Sequence, residues 1–252
     1  MRKLLLLFVL FFVSGIMSAQ ELVPFSMGHD IKSVVYHTVD AKGNLLRVSK
    51  DSIALDSGDF FNGQATIYSF VTEGDKTTKV KLPISFEEGE VIVDLGKIIQ
   101  ESMNQMLSEE EDGEEMKEML GEIEVTGEAK GIPADIKVGD KLPDYELVID
   151  MGIVATKIKA YDRKVVAQET VTTDAGTFDC FVIEITQSVR AFLSNEKSYS
   201  RGWYSRGLGV IKEEVLDKKG DMFNARHILL KPEYTSDDRD KAFHVLDSLL
   251  IF

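Results

Sequence analysis

The run Val171 to Leu216, VTTDAGTFDCFVIEITQSVRAFLSNEKSYSRGWYSRGLGVIKEEVL, constrains the fold more than any other part of this 252-residue chain. Asp174-Ala175-Gly176 is a turn, because Asp can bond its own backbone two residues on and Gly takes a positive φ at no steric cost. Phe178 to Ile185 is a block of aromatic and β-branched residues, which suit a pleated, half-buried surface. Ser198 to Ser205 is a second strand and carries the only Trp, and Gly207-Leu208-Gly209 turns it into a third, Val210 to Leu216. Three strands joined by short connections make an antiparallel meander.

The same signals recur along the chain. Ile31 to Val39 and Leu45 to Val48 flank the turn Asp40-Ala41-Lys42-Gly43-Asn44 and read as a hairpin. Gln64 to Val71 and Lys79 to Phe86 are joined by Glu73-Gly74-Asp75. Pro83 cannot donate to a ladder, so it places the latter strand at an edge or a bulge. Val91 to Leu95 and Val125 to Ala129 are short strands; Tyr145 to Tyr161 reads as one long β-prone segment bent at Gly152, followed by Arg163 to Thr173, and Met222 to Leu230 is the last strand. These runs imply on the order of ten to twelve strands. So many strands in one flat sheet would be unusual, so the expectation is mainly β: a large curved antiparallel sheet or incomplete barrel. A βαβ nucleotide fold is excluded by the pattern.

Two segments depart from it. From residue 97 to 123 the apolar residues Ile98, Ile99, Met103, Met106, Leu107, Met116, Met119, Leu120 and Ile123 fall at helical spacing, broken by the acidic run Glu109 to Glu115. This predicts a central helical insertion with a solvated acidic elbow. EEEDGEE lacks the alternating ligand positions of a calcium loop, so no metal is expected there. Thr235 or Ser236 can cap a C-terminal helix with the stripe Ala242, Phe243, Leu246, Leu249 and Leu250.

Residues 1–19 have a basic start at Arg2-Lys3, an apolar run from Leu4 to Val13 and small residues at Ser18-Ala19, the layout of a cleaved export signal. The apolar run is short of the ~20 residues that cross a bilayer. Residues 20–252 are then expected as a single exported β-rich domain, in the periplasm or, alternatively, released to the medium. No Cys stands near the cleavage point to accept a lipid, and no membrane span is expected in the mature chain. With the leader removed, 27 basic side chains face 43 acidic ones, a net charge of −16 that argues against binding nucleic acid or anionic membrane surfaces through a general basic field. The single cysteine, Cys180, cannot form an internal disulfide and reads as a small core residue.

GTFDCFVIEI, followed by WYSRGLGVIKEE, resembles a family of bacterial envelope proteins labelled TapB-like, a domain of unknown function. Pro24-Phe25-Ser26-Met27-Gly28, the Asp40 to Gly43 turn and Val138-Gly139-Asp140-Lys141-Leu142-Pro143-Asp144 resemble that family's opening and middle motifs. The resemblance implies an exported, β-rich protein that is not an enzyme. By architecture alone it also suggests a sheet like those of periplasmic lipoprotein carriers.

No nucleophile elbow, phosphate loop or metal-ligand spacing occurs, so no catalytic residue, metal or cofactor is expected. Alternation puts Tyr199, Arg201 and Trp203 on one face of their strand. An aromatic-plus-arginine face could receive a lipid head group, a sugar or a carboxylate. The same residues also read as a core tryptophan and an arginine paired with one of the many acids. Two functions follow as expectations. One is an envelope protein binding a lipid or other apolar ligand on a curved sheet; the other is a structural or protein-interaction module without a small ligand.

Overall fold

The computed structural model describes residues 24–28, 31–93, 124–150, 155–191, 194–216, 220–228 and 233–234. They form fourteen strands: β1 (Ile31–Asp40), β2 (Leu45–Gly58), β3 (Gly63–Glu73), β4 (Lys76–Glu87), β5 (Glu90–Val93), β6 (Glu124–Thr126), β7 (Ala129–Lys130), β8 (Tyr145–Asp150), β9 (Ala155–Thr173), β10 (Gly176–Ala191), β11 (Ser194–Ser205), β12 (Gly209–Leu216), β13 (Met222–Ile228) and β14 (Glu233–Tyr234). There is no helix among the described residues, hence none there long and apolar enough to cross a membrane. The export signal at 1–19, the helical insertion at 97–123 and the C-terminal helix all lie outside the described residues.

The strands form one antiparallel sheet in the order β6-β8-β9-β10-β11-β12-β13-β1-β2-β3-β4-β5-β7, with β14 added to β1. Two meanders build it, β1 to β5 and β8 to β13. Pairing of β13 with β1, from Tyr36 opposite Ile228 to Asp40 opposite Asn224, zips them together. Local chemistry sets the hairpins. At the β1–β2 turn the Asp40 carboxylate accepts from the backbone N–H of Lys42 and Asn44 and from the Asn44 amide, and these bonds hold its pKa below the usual carboxylate range.

The far edges of the two meanders meet through β6 and β7. Among the described residues β6 pairs only with β8 and β7 only with β5, and the curved sheet they form is unclosed. Yet β6 and β7 are separated by just Gly127 and Glu128, and three Cα–Cα steps span at most about 11 Å. The chain itself therefore bridges the gap between the edges. Gly127 packs on the backbone of β8, where a Cβ would lie 2.1 Å from the Glu146 carbonyl oxygen. Arg163 of β9, 3 % exposed, donates to the carbonyls of Gly131 and Pro143 at the two ends of the connection from β7 to β8. Its guanidinium lies 5.2 Å from the Tyr145 ring centre.

Strand β10 is covered on both faces. Cys180 and Val182 pack with Met27, Val34, Tyr36, Trp203 and Ile211, whereas Ile183 packs with Val165, Phe25, Ile132, Ile136 and Leu142. A third cluster, Ala65, Ile84 and Phe86, lies on β3 and β4. Full burial of side chains such as Ile183 and Val165 stabilises the fold by about 1.5–3 kcal/mol each.

Four sequence expectations change. Val125 to Ala129 is not one strand but divides into β6, which pairs with β8, and β7, which pairs with β5. β2 does not stop near Val48 but runs to Gly58. Tyr145 to Tyr161 is not one strand, because β8 and the start of β9 pair with each other, Asp150 opposite Ala155 and Tyr145 opposite Ala160. The strand β9 passes through Asp162, whose φ of 52° marks an irregularity in its pairing with β10. Pro83 stands opposite Thr66 of β3, one residue beyond Ile84, whose pairing with Val93 is the last between β4 and β5 among the described residues.

Candidate ligand-binding site

On β11, Arg201 and Trp203 face the same way, and the register places Glu184 opposite Arg201 and Val182 opposite Trp203. With Val166, Ala167 and Glu169 of β9 they line a shallow, open depression of about 290 Å3. Its floor is apolar and its rim is charged. Each polar group on the rim is engaged. Arg201 donates to Glu184 from Nε at 3.0 Å and from Nη2 at 2.5 Å, and the Trp203 indole N–H donates to Glu169. Lys212 Nζ stands 4.5 Å from the Trp203 ring centre. Trp203 itself is only 7 % exposed, whereas the Arg201 and Glu184 side chains are each more than two-fifths exposed. A pair this exposed contributes about 0–1 kcal/mol. Tyr199 is on the same face, 38 % exposed, but lies two residues further along the strand and does not line the depression.

Of the three residues singled out from sequence, the structure therefore brings two together and leaves the third outside. The floor and the acids were not evident from sequence, because they reach the site only through the β9–β10–β11 register. Glu184 carried a faint signal as an acid set between Ile183 and Ile185 in the apolar run of β10.

A second feature has no local sequence signal at all. One row crosses six strands: Ile183, Gly202, Glu213, Arg226, Thr38 and Arg47 stand opposite one another in turn. Beside it Asp51 accepts from Ser69 Oγ at 2.6 Å and from Arg226 Nη2 at 2.7 Å. The Arg226 guanidinium lies 3.9 Å from the Tyr36 ring centre, and the Tyr36 hydroxyl donates to the Val210 carbonyl at 3.1 Å. Burial pushes Tyr36 up to about 12, against the opposing pull of Arg226. Burial also raises Tyr204 and Glu213, the latter against the pull of Arg226 and Arg47. This lane of ionisable groups is tied together internally. Cys180 is fully buried, its thiol is pushed up to about 12, chiefly by burial, and it is protonated at neutral pH and inert as a nucleophile. Among the described residues no three His, Cys, Asp or Glu side chains gather as a metal site.

Two solved structures share the architecture. One is a candidate exported protein with a YmcC-like fold from Bacteroides fragilis, 15 % identical, with a TM-score of 0.59 over 82 % of this chain and 98 % of that one. The other is a candidate lipoprotein from Parabacteroides distasonis, 20 % identical, with a TM-score of 0.61 over 84 % of this chain and 99 % of that one. At these identities the likeness establishes the fold alone. No curated protein sequence matches the chain. The model of the DUF3108-like family matches residues 31–227, which takes in nearly every strand of the sheet, and the TapB-like label is not among the matches. The chain belongs to the DUF3108-like family.

Proposed function

We propose that this chain is an exported envelope protein that acts by binding part of an apolar ligand against Trp203, and not by turnover. The observation that carries the reading is the composition of the β9–β11 depression. Val166, Ala167 and Val182 offer an apolar floor and Arg201, Glu169 and Glu184 a charged rim, the division of labour usual in sites for amphiphiles. At about 290 Å3 it stands at the lower end of the ~300–1,000 Å3 range of ligand pockets, so it suits a stretch of acyl chain and its head group rather than a whole lipid. The description of the two solved neighbours as candidate exported and lipoprotein chains supports the envelope as its place of work. The export signal read at residues 1–19 points the same way.

Trp203 is the only tryptophan, so its fluorescence reports on this site without background from others. Titration with lysophospholipid should change the Trp203 emission in a saturable way, and Arg201→Ala should weaken the binding. A flat titration for the folded wild type would dismiss the reading.

A further inference from the structure

A second surface lies on β2, β3 and β4, away from the Trp203 depression. The register puts Lys50, Phe70 and Lys79 in one row and Ser52, Tyr68 and Lys81 in the next, all on the face of the sheet opposite the buried Asp51–Ser69 bond. Lys50, Lys79 and Lys81 are exposed, and Phe70 is 43 % exposed. Lys79 Nζ lies 5.3 Å from the Tyr68 ring centre and 5.5 Å from that of Phe70. No acid stands in either row, although the chain as a whole carries a net charge of −14. Strand spacing of about 4.8 Å and a repeat of about 6.7 Å along a strand set the three lysines out on this face with aromatic residues between them.

Lysines on this stretch of β4, which β5 leaves uncovered, also discourage pairing with a foreign strand. That role needs charge only. It leaves unexplained an exposed phenylalanine and a tyrosine set among the lysines. Cations over a plane of phosphates, with aromatic rings at head-group depth, fit an anionic lipid surface. A soluble acidic peptide would draw on the lysines but leave Phe70 in water. Asp56 borders this face, accepting from Thr66 Oγ1 one row beyond Tyr68, and acids further off than the Debye length of about 8–10 Å are largely screened.

We propose that this Lys–aromatic face docks the protein on a membrane surface rich in anionic lipid. The test is co-sedimentation of the purified protein with vesicles of phosphatidylglycerol and phosphatidylcholine, against phosphatidylcholine alone. Binding should require the anionic lipid and fall with added salt. Lys79→Ser with Lys81→Ser should weaken it roughly fivefold per lysine. Phe70→Ser should weaken it as well, while Lys137→Ser with Lys141→Ser, an equal loss of charge elsewhere, should not. Equal binding to both vesicle types, or an undiminished signal from the Lys79/Lys81 double variant with an unchanged melting temperature, would overturn the proposal. So would full competition by soluble polyaspartate at matched ionic strength. Lysophospholipid binding at Trp203 is a separate readout, and neither result decides the other.

Discussion

Glu213 shows how burial and charge are balanced in single side chains of this protein. Desolvation raises its carboxyl above the usual range, and the nearby cations Arg226 and Arg47 only partly offset it. With the folded-state pKa raised, the folded chain keeps a proton that the unfolded chain gives up near pH 4.5. The stabilisation is fully present below that value and is lost as pH rises through the raised one. Glu213→Gln removes this term and keeps the shape, so its melting temperature should gain steadily on that of the wild type from about pH 4.5 towards neutrality. Parallel curves for the two proteins would show that the carboxyl is not under this strain. Asp51, also buried, has partners for its carboxylate in Ser69 and Arg226.

At the scale of the strand, the close fit of β11 depends on a residue with no side chain. A Cβ on Gly202 would lie 2.4 Å from Tyr204 Cε2, because the Tyr204 ring folds back over the strand at that point. Gly202→Ala should cost about 1–3 kcal/mol by overpacking, read as a lower midpoint in urea denaturation. Substituting Tyr204 by Leu in the same chain should recover part of that loss. Much of this level was legible beforehand. The β10 to β12 meander and the Asp40 turn depend on residues close in sequence, and periodicity reports them. The long reach of β2 was not legible, because the polar residues past Val48 break the apolar alternation and only the fold brings Arg226 to Asp51 from the other end of the chain. The reversal inside Tyr145 to Tyr161 was hidden for the opposite reason: apolar alternation continues through both arms of a hairpin. In the candidate site, Arg201 and Trp203 could be placed on one face by alternation, but Glu169 and the floor required a register that composition does not encode.

For the whole molecule, the decisive event is the meeting of the two sheet edges. Gly127 has a φ of 93° and no room for a Cβ against Glu146, so two independent constraints select glycine where the chain passes from one edge to the other. Gly127→Ala should destabilise the protein by more than the ~1–3 kcal/mol of simple overpacking, with amide exchange accelerated first in β6, β7 and β8. Unchanged exchange there would mean that the edges hold without this contact. The curl matters for function because it turns many strands into a single shaped surface whose ionisable groups are largely tied to one another. On the proposed reading, that surface offers a ligand shape. Native mass spectrometry of the gently purified wild-type protein, with Trp203→Ala alongside, tests that most directly. The account predicts a co-purified lipid or other amphiphile on the wild type and its depletion from a folded Trp203→Ala variant. Bare wild-type protein that also takes up no added lysophospholipid would contradict it.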